Sequence, residues 1–504
     1  MRELLVDFSF FELRGALVEN GQAVDFLVEP LSPAPWRLRD IFWARVTKVL
    51  PELGGAIVEL GPIQALLQTR FFPNCPVLWT QGKPTPVSDR WTYVSRNLKK
   101  GLELLVQLRK PPREDKGALV SSRISVDGLF LSFRPGSPEI RWPWQLGPDM
   151  RAKISQAVRT KLGEHDGFSA HIRSAFATET DLVAELARLR EQWRRAFAAV
   201  VQAPAVGLVY RPADPLARIF LELGHPVLDR ILVDGPEHAV EAVRRTWSAL
   251  TNGRPVPIER HAKPAALFVH SNVEEQIENA LKPEVGLPAG GSIRFEKTAG
   301  ATVVDVNSSV ASSPLSRAPH TSGSRGLSSL NSEATKVVAR QLRLRAIPGS
   351  IVIDFANSRP AQAETRLASL VRDSCRDDPY VASVHGHRGC ALVHVQREYR
   401  RLSLAEQFLV PCPQCGCPDR ALDPSARVRQ FLHRVLQELR IVPAPAKIVA
   451  EVPDEIFVYL RTQGRDLLDQ LIAHAGCPVD LSPGTAPDPR LRIVVGTKGL
   501  PNPD

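Results

Sequence analysis

The sequence predicts a multidomain α+β protein, and three features of its patterning carry that expectation. Between Asp40 and Asp127, short apolar runs alternate with turn residues (IFWARVTKVL, GGAIVELG, ALLQTRFF, GLELLVQLRK, GALVSSRIS), as in strands that fold back on one another. From Pro204 to Ala266, the strand-like pieces VGLVY and DRILVDG alternate with the helical stretch HAVEAVRRTWSAL. Further on, the apolar runs ATVVDVNSS and SIVIDFAN each carry an aspartate near their ends. With 504 residues, 43% of them hydrophobic, the chain can supply about three to five such units, because single cores stop growing at about 250–300 residues.

Taken in order, the first 30 or so residues alternate apolar and polar side chains around Asn20-Gly21, a hairpin turn signal. Pro30, Pro33 and Pro35 then punctuate. The five short strands that follow have glycines at their bends and suggest a small barrel of the OB type. Residues 165–204 turn helical, with Leu182, Leu186, Leu189 and Trp193 on one stripe. Ser271 and Glu274 have capping-box spacing ahead of Val273, Ile277 and Leu281. A Ser/Gly-rich loop is expected over 308–332, too polar for a core, then a helix over 333–345. After Pro411 a cysteine knuckle leads into the helix ARVRQFLHRVLQEL and a last small α/β unit.

The charge balance favours a polyanionic partner: 64 Lys+Arg against 54 Asp+Glu give +10 and a pI near 9.4. MRELLVDFSF carries Glu3 and Asp7 where a secretion signal needs an apolar run, and no stretch reaches the ~18 apolar residues of a membrane span. Seven scattered cysteines suit free thiols in a reducing compartment better than a disulfide framework. A cytoplasmic protein is expected.

Side-chain alternation puts Asp305 and Asn307 on one face of their strand, and Asp354 interrupts an otherwise apolar strand. Charges are seldom buried in strands unless paired or bound to a cation. Two aspartates on neighbouring strand ends, with an amide beside one, would suit magnesium, leaving positions for water and phosphate; the bland alternative is a strand-end Asp capping a loop. In the barrel, Phe71 and Phe72 with Arg70, Lys110, Arg113 and Lys116 offer a stacking and charge surface for single-stranded RNA, or the phenylalanines are core. Arg340 and Arg343, three apart on a helix, would hold backbone phosphates or form a solvated face. Cys412-Pro-Gln-Cys415 has the spacing of a zinc knuckle, yet no second C-x-x-C exists in the chain, so one chain offers half a tetrahedron. Cys417 is a possible third thiolate.

The segments GGSIRFEKTAGATVVDVNSS and EATKVVARQLRLRAIPGSIVIDFAN resemble the catalytic signature of the RNase E/G endoribonucleases, with ARQLRLR, D-x-N and IDF matching residue for residue. The likeness runs from ELRGALVENGQ through REDKGALVSSRISVDG to the knuckle and the terminal unit. It implies an RNase H-like domain (1–35 and 205–278), an OB-fold RNA-binding domain (36–127), a 5′-sensor region (128–204), a DNase I-like catalytic domain (279–400), a zinc link (401–418) and a small dimerisation domain (419–504). It further implies that Asp305 and Asp354 hold Mg²⁺ with Asn307 orienting the site, that Lys116 contacts RNA, and that Cys412 and Cys415 share one Zn²⁺ between two chains of a homodimer or larger homo-oligomer. Arg173 and Ser174 stand where the family's V-R-T-A-G-V-G pocket grips a 5′-monophosphate, but the glycines are gone. Leu66 replaces an RNA-stacking phenylalanine, and His394 a usual glutamate. The expected activity is Mg-dependent endoribonucleolytic cleavage of single-stranded RNA to 5′-phosphate and 3′-hydroxyl ends, in rRNA maturation and RNA decay. A non-catalytic RNA-binding relative is the alternative, and a zinc-linked structural protein a third reading.

Overall fold

The computed structural model describes residues 1–32, 36–61, 63–68, 77–80, 83–86, 98–112, 117–202, 205–212, 214–288, 290–308, 324–356, 360–387, 392–412, 415, 421–442, 445–486 and 488–495. The N-terminal sheet has five strands in the spatial order Ile258–Arg260, Arg230–Asp234, Arg2–Phe8, Glu12–Glu19, Gln22–Pro30. The last three run antiparallel, while Arg230–Asp234 and Ile258–Arg260 add in parallel. Asn20 and Gly21 both take positive φ, 50° and 79°, as a two-residue hairpin that follows the strand twist requires. Helices Pro215–Leu223 and Glu237–Thr251 cover one face through Phe220, Val243 and Trp247, and Val273–Leu281 covers the other through Val273 and Ile277.

The stretch expected to form a barrel does so. Strands Ile41–Leu50, Gly55–Glu59, Gln64–Gln68, Ala118–Ser121 and Glu103–Lys110 pair in turn, and the first closes on the last. Phe42, Val58, Leu67, Leu104, Val106 and Val120 fill its interior. Ile41 and Trp43 alternate outward instead, into a second core shared with the small sheet Val126–Asp127, Leu131–Arg134, Gly167–Ala170 and Ile140–Arg141 and with helices Pro148–Arg159 and Glu179–Gln202. Leu182, Leu186, Leu189 and Trp193 are core here, as their spacing suggests.

A six-stranded sheet follows, ordered Glu284–Gly286, Ser292–Lys297, Thr302–Asn307, Gly349–Asp354, Leu392–Arg397, Val381–Gly386. Helices Ser324–Leu344 and Pro360–Ser374 pack on one face of it, where Ile293, Val304, Ile351, Ile353 and Val393 meet Val338, Leu342 and Val371. The opposite face is not covered by these helices. At the C-terminal end, Pro424–Leu439, Asp454–Arg461 and Arg465–Ala475 pack on the three-stranded sheet Val479–Gly484, Pro445–Pro453, Arg490–Val495.

Three local expectations need correction. The helix before the second aspartate begins at Ser324, nine residues before Glu333. Ser271 does not cap a helix N-terminus: its hydroxyl donates back to Leu267 O, Asn272 turns the chain in a left-handed conformation, and Glu274 pairs with Arg14 instead. Residues 165–204 are not one helical piece, since strand Gly167–Ala170 and the short turn Ile172–Phe176 precede the helix.

The units are tied by charge as well as by cores. Asp25, fully buried on strand Gln22–Pro30, accepts from Arg343 Nε at 2.9 Å and from Arg401, joining the N-terminal sheet, helix Ser324–Leu344 and the segment after strand Leu392–Arg397. Burial alone would raise the Asp25 pKa, but Arg401 and Arg343 together outweigh it and hold the carboxyl below its ordinary value of 3.8. Asp25→Ala should therefore destabilise the fold by about 3–5 kcal/mol, because two buried guanidinium groups lose their counter-ion. The sign of the pH effect follows: the contribution is complete above the unfolded pKa and is lost as pH falls through the lower folded one. Urea melts at pH 7 and pH 3 should show the wild type losing stability at acid pH, and the gap between it and Asp25→Ala narrowing.

Candidate active site

The open face of the six-stranded sheet carries the polar residues that interrupt its strands. Burial alternates along Thr302–Asn307 so that Val303, Asp305 and Asn307 face away from the helices, while Thr302, Val304 and Val306 are buried. Along Gly349–Asp354, Val352 and Asp354 share that outward face. The two strands are parallel neighbours, and Asp305 is the register partner of Asp354. The carboxylates thus lie side by side on strands about 4.8 Å apart, at the ends where both strands stop. This juxtaposition was readable in part: alternation fixes the face of each residue, whereas the register comes only from the fold.

Asn307 donates from Nδ2 to Asp305 Oδ2 at 2.8 Å. One oxygen of Asp305 is thereby held, and its other oxygen and the exposed Asp354 carboxylate remain as acceptors among the described residues. Among these residues no cluster of three or more His, Cys, Asp and Glu side chains forms a closed metal cage. Two carboxylates with open positions beside them fit a hard divalent cation that keeps several waters, magnesium above all. Arg294, unremarked in the sequence, is the cross-strand partner of Asp305 and is bridged to Glu296 at 2.7 Å. The alternation of SIRFEK, which makes Arg294 and Glu296 outward residues, was the signal for it.

Two cavities border the end of the sheet where strands Thr302–Asn307, Gly349–Asp354 and Val381–Gly386 begin. One of about 1180 Å³ lies between the barrel, through Leu66, Lys110 and Leu119, and the sheet residues Lys297, Ser350 and Gln396. Leu66 thus points out of the barrel into this cleft. The other, about 720 Å³, is lined by Arg109, Arg123, Arg134, Arg141, Arg173 and Arg400 among others, with Asp127 and Glu139 as partial counter-charges. Its arginines are scattered from 37 to 400 along the chain, and no local motif announces them.

Other expected site residues fall differently. Phe71, Phe72, Lys116 and Cys417 lie outside the described residues. Arg340 is half-buried, and burial lowers its guanidinium pKa. Arg343, three residues on, does not face phosphate, because it turns inward to Asp25. Arg173 is buried and donates to Leu221 O and Glu222 O, both at 2.5 Å, at the C-terminal end of helix Pro215–Leu223. Ser174 is also buried, and its hydroxyl donates to Phe130 O at 2.7 Å. Both residues expected to grip a terminal phosphate thus bond main-chain carbonyls, Arg173 through two of its five N–H groups. Cys412 and Cys415 are free thiols, half-buried and exposed; they supply two of the four ligands a structural zinc needs. Cys375 and Cys477 are free thiols and buried.

The fold and this site define a multidomain α+β protein that sets a carboxylate pair on an open sheet beside a five-stranded barrel. Residues 146–400 match the model of the Ribonuclease E/G family, and the chain belongs to that family. It is 26% identical over 491 residues to Ribonuclease E of Haemophilus influenzae, covering 94% of this chain and 50% of that protein. It is 27% identical over 483 residues to Ribonuclease E of Escherichia coli, 91% of this chain and 42% of that one. Against Ribonuclease G of Escherichia coli the figures are 26% over 417 residues, 82% and 83%. The chain therefore spans about half the length of the Ribonuclease E relatives and most of Ribonuclease G. No helix among the described residues is long and apolar enough to cross a membrane.

Arg173→Ala should cost about 1.5–3 kcal/mol, since a charged donor is withdrawn from two carbonyls at a helix end. Thermal unfolding of the variant without any RNA checks this; an unchanged melting temperature would return Arg173 to a purely ligand-facing role.

Proposed function

We propose that this chain is an endoribonuclease that hydrolyses single-stranded RNA at Asp305 and Asp354 with Mg²⁺, in RNA decay and ribosomal RNA maturation. The observation that carries the reading is the registered carboxylate pair on adjacent parallel strands, in a chain of the Ribonuclease E/G family. The ion supplies Lewis-acid charge for the phosphate and eases loss of a proton from the attacking water. Asn307 fixes the orientation of Asp305. Water oxygen bonds to phosphorus as the P–O3′ bond breaks and the proton passes to the departing oxygen, which leaves 5′-phosphate and 3′-hydroxyl ends.

RNA is held in the cleft between barrel and sheet, where Lys110 and Lys297 supply charge and Leu66 an apolar contact, and runs from there along the open face, from the start of strand Gly349–Asp354 to the carboxylate pair at its end. Phe71, Phe72, Lys116 and Arg340 are proposed as further RNA contacts on the strength of the sequence. The N-terminal sheet serves as the RNase H-like unit and the six-stranded sheet as the DNase I-like one. Cys412 and Cys415 pair with the same residues of a second chain around Zn²⁺, making a homodimer in the cytoplasm.

Labelled single-stranded RNA incubated with and without Mg²⁺ tests the activity directly. Asp354→Asn and Asp305→Asn should each lower the cleavage rate at least about 100-fold, or roughly 3 kcal/mol, while RNA binding persists. Cleavage by Asp354→Asn at the wild-type rate would remove this site from the reaction.

The 5′ end should matter little. Arg173 still lines the arginine-rich cavity, but its donors and the Ser174 hydroxyl are engaged with backbone. Matched RNAs bearing a 5′-hydroxyl or a 5′-monophosphate should be cut at similar rates. A strong monophosphate preference that Arg173→Ala abolishes would show that the ligand displaces those carbonyl contacts.

A further inference from the structure

Beside the carboxylates, the open face holds a second row of residues running across the strands. Glu296 registers with Val303, Val303 with Val352, Val352 with His394, and His394 with His385. Val303 is 36% exposed in the middle of a sheet, Val352 and His394 are half-buried, and His385 is exposed. His387 adds a third imidazole, with its ring centroid 6.3 Å from that of His394. His394 is not loose: a ring nitrogen lies 2.7 Å from Ser350 Oγ. Val352 is two residues from Asp354, about 6.6 Å along the strand. The carboxylate pair is therefore bordered by an apolar floor with a bank of imidazoles at one end.

The chemistry of this row selects its ligand. A phosphate would meet Glu296 at one end, and at the other burial and then the neighbouring His387 and His385 lower the pKa of His394 from 6.5. Valine methyls and neutral imidazole faces suit a planar, uncharged group, and histidine is one of the side chains on which unstacked RNA bases stack. We propose that Val303, Val352 and His394, with His385 and His387 beside them, form a nucleobase-binding subsite that seats the base of a nucleotide adjoining the bond cut at Asp305 and Asp354. The proposal rests on the ribonuclease reading for the ligand's identity. It makes His394 a positioning residue that acts by holding a base, with no part in proton transfer.

The test pairs protein and RNA changes. A short fluorescent RNA is bound to Asp354→Asn protein, alongside copies in which one nucleotide at a time is abasic. With His394 present, one abasic position should weaken binding about tenfold, the value of a base–aromatic stack. In the added His394→Ala background that penalty should fall below about twofold, and His394→Phe should restore it. His385→Ala with His387→Ala, both exposed, should reduce the penalty about threefold without loss of folding. An undiminished abasic penalty in His394→Ala overturns the proposal. If His394→Ala fails to fold, an undiminished penalty in the exposed pair does so. Cleavage by the wild type with Mg²⁺ is scored separately: its absence would sink the ribonuclease reading alone, since base binding is read without turnover.

Discussion

Asp25 is the point on which the arrangement of this chain turns. It is a carboxylate with no exposure, and two guanidinium groups from positions 343 and 401 converge on it. Water is excluded from all three, so none can leave without stranding another, and a mismatched charge in such a place costs far more than the net strength of the bond. The strand that carries Asp25 is in the N-terminal sheet, while Arg343 ends the helix that supports the carboxylate-bearing strands. The orientation of the open sheet face relative to the rest of the molecule is thus set by an electrostatic contact at its rear. Similar links recur between Asp234 and Arg440 at 2.5 Å and between Glu12 and His433 at 2.7 Å, which seat the C-terminal unit on the N-terminal sheet.

Much of this was legible in the residues, and the reason differs from element to element. The barrel could be read because each strand is bounded by turn residues and because one alternating face is apolar, as Phe42, Ala44 and Val46 are. That Asp305 and Asn307 would share one face of their strand, with Asp354 on the outward face of its own, could be read because strand alternation fixes the face of each residue. Arginine roles could not. Helical spacing puts Arg340 and Arg343 near one another, but whether either meets solvent or a buried acid depends on Asp25, more than 300 residues earlier. Arg173 is a similar case, since its partners are main-chain carbonyls of a helix that nothing in its own neighbourhood foretells. Helix Pro148–Arg159 went unread because its sequence, PDMRAKISQAVR, places only Ile154, Ala157 and Val158 in the core.

The distribution of arginine has a wider effect. Arg14, Arg343, Arg397 and Arg401 are all buried, so part of the positive charge counted in the sequence holds the fold together and is not offered to a polyanion. Some of the rest lines the two cavities at the sheet's end, where Lys110 borders both and the second is walled by guanidinium groups. Net charge alone says nothing of where on the surface it lies; the fold brings these groups together at the end of the sheet where strands Thr302–Asn307 and Gly349–Asp354 begin.

The pairing of Thr302–Asn307 with Gly349–Asp354 is parallel, so the chain between them must cross over and return before the two aspartates can meet. The crossover contains helix Ser324–Leu344, whose Val338 and Leu342 share one core with Val304 of the first strand and Ile351 and Ile353 of the second. A slip of one residue in the register would turn one carboxylate into the helix-packed layer. A chain still emerging from the ribosome has Asp305 long before it has Asp354 folded beside it. The side-by-side carboxylates are therefore absent from the growing chain until residue 354 has been added and its strand has paired.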